Sequence, residues 1–359
     1  EEAPALKLPD FPWDTLAPYG LRARKDPRGV IDLSQGTPVD PTPEFIQQKL
    51  RESSNSPSYP VTTGAPELRD ALKNFVSKTL GATGDFDVLP TIGSKELVAL
   101  LPTLLEAKRI LIPKIAYPTY KVGGLITGAE VVEVDIDANA WPDENFDLAW
   151  INSPSNPTGR VHSDAELAQV INWSRRTKTP IASDECYLPF PDSEKSRSIL
   201  SIADGENKGL LAIHSLSKRS NLAGYRAAFV AGDSELISRL LEIRKHMGMM
   251  VPLPIQRAMT VALTDENHVR EQAKRYQNRR ALLRKALEQV GFNIEFSSAG
   301  LYLWCTRGEE DWTTVSWFAD KGIVVTPGRF YGDSGSKYVR IALTATDRQI
   351  EDAAARIKA

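Results

Sequence analysis

Lys218, Ser215 and Arg226 are the residues of this chain best suited to joint chemistry. They lie in Leu211-Ala212-Ile213-His214-Ser215-Leu216-Ser217-Lys218-Arg219 and in Ala223-Gly224-Tyr225-Arg226, which ends eight residues after the lysine. A strand-like run from Gly209 to His214 delivers two serines and a lysine into a polar turn, and a glycine-containing loop then returns an arginine. An amine, a hydroxyl and a guanidinium converging there suit an aldehyde that carries a phosphate. The amine forms a Schiff base with the aldehyde, while Ser215 and the fork of Arg226 hold the phosphate. The bland alternative is a solvated lysine at a strand end, which is where most lysines sit.

Three further segments supply parts that pyridoxal phosphate needs. Asp184-Glu185-Cys186-Tyr187 follows the apolar run Pro180-Ile181-Ala182-Ser183, so Asp184 ends a strand, where open α/β sheets bind ligands. A carboxylate there pairs with a protonated ring nitrogen, worth about 1–3 pKa units. Tyr187 is placed to donate to the ring's phenolate oxygen. Asn152-Ser153-Pro154-Ser155-Asn156-Pro157-Thr158-Gly159 ends a strand running from Asp147 to Ile151 and offers Asn156 as a second donor, although such a sequence forms a turn in any case. Thr91-Ile92-Gly93-Ser94-Lys95-Glu96 opens an amphipathic helix, whose free N-terminal amides suit a phosphate.

In this order and spacing the motifs resemble the fold type I, class I/II pyridoxal-phosphate-dependent aminotransferases, from Asp32-Leu33-Ser34-Gln35-Gly36-Thr37-Pro38 to Tyr338-Val339-Arg340-Ile341-Ala342. The resemblance implies Lys218 as the cofactor lysine and proton shuttle, Asp184 as partner of the pyridine nitrogen, and Asn156 and Tyr187 as partners of the ring oxygen. It also implies a phosphate cup of Gly93, Ser94, Lys95, Ser215 and Arg226, and Tyr117 of Ile115-Ala116-Tyr117-Pro118 as the stacking ring. Arg340 would clamp the substrate α-carboxylate, with Gly36 and Asn156 beside it. Tyr59 in Ser58-Tyr59-Pro60 would reach the phosphate of a neighbouring subunit, making a homodimer with shared sites. Leu8-Pro9-Asp10-Phe11-Pro12-Trp13-Asp14, Gly36-Thr37-Pro38-Val39-Asp40-Pro41 and Ile115-Ala116-Tyr117-Pro118-Thr119-Tyr120 further resemble the actinobacterial N-succinyldiaminopimelate aminotransferases of lysine biosynthesis. Arg219 and Cys186 depart from the family's usual residues, and Arg219 would add positive charge near the cofactor.

The elements that must position these residues are legible in outline. From about Glu67 to Val230 helical and strand-like runs alternate, with Pro66 opening one helix and the capping box Ser163-Asp164-Ala165-Glu166 another. Such alternation predicts an α/β fold, a mostly parallel sheet covered by helices. Val251-Pro252-Leu253-Pro254 reads as a break before a smaller α+β domain, in which a long helix to Gln289 precedes strands at Phe292–Phe296, Leu301–Cys305, Ile323–Thr326 and Tyr338–Leu343. The expected domains are 1–40, an N-terminal segment joining the small domain; 41–250, the cofactor domain; and 251–359, the small domain. Two domains also suit 359 residues.

Composition narrows the classes. Hydrophobic content of 42% and charged content of 25% are ordinary for a globular protein. A net charge of −2 gives no basic stripe for nucleic acid. Only Cys186 and Cys305 occur, both in apolar runs, and no stretch approaches a membrane span; Glu1-Glu2-Ala3-Pro4 lacks a signal-peptide pattern, so a cytoplasmic protein is expected. The four histidines are scattered, which argues against a metal site, and Gly123-Gly124 falls inside a helical run rather than a dinucleotide turn. The rivals that share these parts are an aspartate, alanine or aromatic aminotransferase and a pyridoxal-phosphate β-lyase. A non-enzymatic cofactor sensor would carry an appended DNA-binding module, for which the chain before Asp32 is expected to be too short. The reading adopted is transamination in two half-reactions, with N-succinyl-L,L-2,6-diaminopimelate as donor and 2-oxoglutarate as acceptor, run physiologically in reverse. Its distal carboxylate needs a second cation or a set of amide donors beyond Arg340, with Arg22, Arg24 and Arg219 as candidate cations.

Overall fold

A computed structural model describes residues 8–359; Glu1-Glu2-Ala3-Pro4 lies outside them. The chain begins with helix α1 (Pro12–Ala23) and a short strand β1 (Ile31–Asp32), followed by α2 (Glu44–Glu52) and α3 (Pro66–Asn74). Pro66 occupies the first turn of α3, which continues as a π-helical turn over Phe75–Thr79. Strands and helices then alternate: β2 (Asp87–Ile92), α4 (Ser94–Leu104), β3 (Arg109–Pro113), α5 (Thr119–Thr127), β4 (Glu130–Val134), β5 (Leu148–Asn152), α6 (Asp164–Thr177), β6 (Ile181–Asp184), α7 (Ile199–Ile202), β7 (Leu210–Ser215), α8 (Leu216–Arg219), β8 (Ala227–Gly232) and α9 (Ser234–His246). At the start of α6, Ser163 and Glu166 satisfy each other's backbone amides as the capping box requires.

The sheet has the order β2-β8-β7-β6-β5-β3-β4 and is parallel except that β8 runs against both its neighbours. Side chains alternate across it. Leu210 and Ala212 belong to the core packed by α3 and α6, whereas Leu211 and Ile213 belong to the core packed by α4 and α5. Asn152 is in register with Asp184, and Asp184 with Ile213, so the carboxyl ends of β5, β6 and β7 lie side by side.

The proline-rich run after α9 behaves differently from expectation. Pro252 and Pro254 stand at the entrance of α10 (Leu253–Thr264), where proline's missing amide is harmless. Ala258, Met259 and Ala262 of that helix share a core with Leu68 and Leu72 of α3. A domain boundary at 250 is therefore corrected: α10 packs with the large sheet. The small body comprises α11 (Asn267–Gln289), β9 (Asn293–Glu295), β10 (Tyr302–Thr306), α12 (Asp311–Asp320), β11 (Ile323–Val324), β12 (Thr326–Pro327), β13 (Val339–Ala342) and α13 (Asp347–Lys358). Its antiparallel sheet has the order β12-β13-β10-β9. The single strand expected over 323–326 is two, because the chain leaves the pairing of β11 with β1 to join β13 through β12. Leu16 and Leu33 of the N-terminal segment lie in the same core as Leu283, Phe318 and Ile341. No described helix is long and apolar enough to cross a membrane.

One buried ion cluster holds the Gly36–Pro41 segment in place. Arg279 of α11, almost fully buried, donates from both terminal nitrogens to Asp40 at 2.7 and 2.8 Å and from Nε to Asp347 at 2.6 Å. Asp347 is largely exposed and Asp40 keeps Gln272 at 2.7 Å and Arg275 at 3.5 Å, so Arg279→Ala removes charged hydrogen bonds without stranding a charge and is expected to cost about 1.5–3 kcal/mol in urea unfolding. A loss below about 1 kcal/mol, the worth of an exposed pair, would show that the cluster is solvated.

Candidate active site

The carboxyl ends of β5, β6 and β7 form the floor of a cavity of about 440 Å³ lined by Gly36, Ser94, Lys95, Tyr117, Asn156, Asp184, Tyr187, Ser215, Lys218, Arg226 and Arg340, among others. Of the residues that the resemblance implies for the cofactor and the α-carboxylate, only Gly93 and Tyr59 lie outside that lining. Gly93 directly precedes α4 with φ of +75°, and a Cβ there would come within 2.2 Å of Arg226 Nη2. No side chain caps α4, so its first amides face outward. Tyr59 is 93% exposed, and its side chain makes no hydrogen bond among the described residues.

Two ionisable groups in this cavity are buried without an opposite charge. Asp184 accepts hydrogen bonds from the Tyr120 hydroxyl at 2.8 Å and its own turn's Cys186 amide at 3.2 Å, and forms no ion pair among the described residues. Burial pushes its carboxyl pKa up despite those donors. Arg340 donates to Asn156 Oδ1 at 2.8 Å and to the Ser34 carbonyl, and lies 4.1 Å from the Tyr302 ring centre, again with no carboxylate partner among the described residues. A buried charge normally has a partner. Each of these two therefore presents an unsatisfied charge of opposite sign to the same space.

The remaining geometry prepares donors. The Tyr187 hydroxyl sits 2.9 Å from that of Tyr302, and Asn156 gives its oxygen to Arg340, leaving its NH2 for the cavity. Gly36 must lack a side chain, since a Cβ would meet the Tyr302 hydroxyl at 2.0 Å. Ser215 Oγ accepts the Ser217 amide at 3.1 Å, and the Lys218 ammonium donates to the Gly36 carbonyl.

Sequence reasoning missed Tyr120, Tyr302 and the mouth residues Phe11 and Trp13. Tyr120 at the start of α5, like Phe11 and Trp13, lies in a segment whose resemblance is visible in the sequence, Ile115 to Tyr120 and Leu8 to Asp14, which could have suggested them; Tyr302 comes from a distant element with no local signal. The three arginines offered for a distal carboxylate fail. Arg219 turns away into the protein, donating to the Ala262 carbonyl at 2.7 Å and pairing with Glu266. Arg22 pairs with Asp320 on the surface, and neither it nor Arg24 lines the cavity. Lys95 does line it and forms no ion pair among the described residues; its ammonium lies 5.9 Å from the Phe11 ring centre.

Burial, then the charge of Arg340, lowers the Lys218 amine to a pKa of about 8. At pH 7 about one amine in ten is then neutral, against fewer than about one in a thousand for an ordinary lysine. Raising the pH through 8 fills the neutral form, so the rate of aldehyde addition at Lys218 in the cofactor-free protein should climb and level off above 8. A rate still climbing tenfold per unit to pH 10 would contradict that lowering.

Comparisons with known proteins agree with this geometry. The model of the aminotransferase class I and II family matches residues 28–357. A probable aminotransferase of Mycobacterium tuberculosis is 48% identical over 360 residues, covering 98% of this chain and 86% of that protein. The 4-dedimethylamino-4-oxo-anhydrotetracycline transaminase of Streptomyces rimosus is 46% identical over 357 residues, covering 98% and 99%. Among solved structures, a probable N-succinyldiaminopimelate aminotransferase of Thermus thermophilus superposes with a TM-score of 0.89 at 26% identity, over 97% of this chain and 99% of that one. A fold-type-I sheet with its strand ends around a lysine, together with a family match over nearly the whole chain, makes this protein a member of the class I and II aminotransferases, which are pyridoxal-phosphate-dependent.

Proposed function

We propose that this aminotransferase exchanges the amino group of N-succinyl-L,L-2,6-diaminopimelate with 2-oxoglutarate, the physiological direction being the reverse. The observation that carries the reading is the charge census of one cavity: Asp184 and Arg340 buried and unpaired, with Lys95 as a further uncommitted cation at the mouth. An α-amino acid with a second, distant carboxylate satisfies Arg340 and Lys95 together. The solved relative named for the succinylated substrate supports the same class.

The residues fit pyridoxal phosphate. The outward amides of Ser94 and Lys95, with Ser215 and Arg226, would hold its phosphate, and Gly93 keeps that cradle open for the Arg226 guanidinium. Asp184 would pair with the ring nitrogen, Tyr187 and Asn156 would donate to the ring oxygen, and Tyr117 would stack. When bound, the cofactor supplies an aldehyde and an electron-withdrawing ring. Arg340 binds and orients the substrate α-carboxylate, and Lys218, with its lowered pKa, takes the proton from the substrate Cα. Tyr120 holds the Asp184 carboxylate in place through its 2.8 Å bond. The exposure of Tyr59 suits a group that works on a neighbouring subunit, so a cytoplasmic homodimer is part of the proposal; sedimentation giving a fully active monomer would remove it.

A second reading has one specific support. An apolar groove of about 960 Å³ abuts the cavity at Phe11 and Tyr117. A bulky polycyclic oxo compound, such as the name of the Streptomyces relative prints, would use it. Steady-state kinetics over a substrate panel separates the readings. We expect kcat/KM for the succinylated substrate to exceed that for aspartate, alanine, phenylalanine and a polycyclic ketone. Lys95→Ala should cut the succinylated value roughly 10- to 150-fold, the worth of a charged hydrogen bond, while affecting alanine far less. Preference for any other member of the panel moves the protein to that substrate class.

A further inference from the structure

The floor of the cofactor cavity has a second side. Because side chains alternate along a strand, Asp184 and Ser215 face the cavity, while their neighbours Glu185 and His214 face the opposite side of the sheet. There a separate cavity of about 330 Å³ lies directly behind the floor. Cys186 and Ser215 line both spaces, so at this point the floor is only one layer of chain thick. Ordinary close packing is therefore missing behind Ser215 and beside Glu185 and Cys186, which directly follow Asp184.

What stands in its place is a buried polar clamp. Glu185 and His214 are both more than nine-tenths buried. Glu185 Oε1 accepts from the Ser183 hydroxyl at 2.9 Å and from the Ile199 amide at 2.8 Å, tying the end of β6 to the start of α7. Its other oxygen lies 3.0 Å from His214 Nε2, on the adjacent strand β7. The His214 ring is itself pinned, stacked on Phe229 with centres 5.2 Å apart and edge-on to Phe75 at 6.3 Å. Neither Glu185 Oε2 nor His214 Nε2 makes an aligned hydrogen bond to any described group, so these two buried polar atoms have only each other, as a close contact at 3.0 Å. This contact thus joins the side chains of two strands immediately behind Asp184 and Ser215.

We infer that Glu185 and His214 are positioning residues that set the spacing between Asp184 and Ser215, and through it the affinity for pyridoxal phosphate. The inference rests on the assignment of Asp184 and Ser215 to the cofactor. Neither member of the clamp touches the cofactor cavity. Its loss should therefore appear as weaker cofactor binding, while the substrate's carboxylate contact at Arg340, and hence KM, stays close to wild type.

The test is titration of the apoenzyme with pyridoxal phosphate, followed by absorbance. His214→Ala should raise the cofactor Kd roughly tenfold, as expected when a buried polar group loses its partner. Imidazole, which fits the adjoining cavity, should restore much of that loss in His214→Ala and none of it in Glu185→Ala. Glu185→Gln, which keeps an oxygen for Ser183 and Ile199, should bind nearer to wild type than Glu185→Ala. Should His214→Ala not fold, His214→Leu keeps the packing on Phe75 and Phe229 without the ring nitrogen and should show the same loss. Wild-type Kd in either His214 variant, or a loss in His214→Ala that imidazole leaves unchanged, overturns the inference. Asp184→Ala and Ser215→Ala controls separate the two levels: if these also bind as wild type, the cofactor assignment fails; if they weaken and the His214 variants do not, only the clamp's role fails.

Discussion

Two opposite charges share one buried space without neutralising each other, and the arrangement around them follows from that constraint. Asp184 and Arg340 are each withdrawn from water and held by neutral groups: hydroxyl and amide donors for the carboxylate, carbonyl and amide acceptors for the guanidinium. Charges left this way weaken the empty protein, since a buried ion without a counter-ion is costly. The cost is recovered when a ligand brings a cation to one and an anion to the other. In the proposed assignment a protonated pyridine ring and an α-carboxylate would do so together, and a single cavity would then select both cofactor and substrate. The same burial lowers the basicity of Lys218 into the range in which it exchanges protons near neutral pH.

Positioning these charges needs both bodies of the fold. Asp184, Ser215 and Asn156 come from the ends of neighbouring strands or the turn after one, Arg340 from β13, and Gly36 from the segment anchored by Asp40 and Arg279. Tyr302 of β10 links the two, touching the Tyr187 hydroxyl from one side and covering the Arg340 guanidinium from the other. A shift between the bodies would therefore move Arg340 relative to Asp184.

Most of the fold and the cofactor end of the site were legible in the sequence because both depend on local signals. Apolar runs ending in Asp184 and Ser215, the Ser163 capping box and the glycine before α4 mark strand ends and helix starts within a few residues. Part of the substrate end was not: Tyr302 and Trp13 act through contacts between segments far apart in the chain, and no period or cap announces them. Arg219 shows the converse error: one position beyond Lys218 in α8 turns a side chain by about 100°, enough to send it from the cavity to Glu266. Pro252 and Pro254 were misread because proline both ends elements and begins helices, and only the packing of α10 on α3 decides between the two.

The central claim is that this cavity is built to bring pyridoxal phosphate to Lys218, and borohydride reduction of the holoenzyme tests it most directly. After proteolysis and mass spectrometry, the added pyridoxyl mass should fall on the peptide containing Lys218 and be absent from the Lys218→Ala variant. Labelling of Lys95 or Lys114 in its place, or no stable label at all, would contradict it.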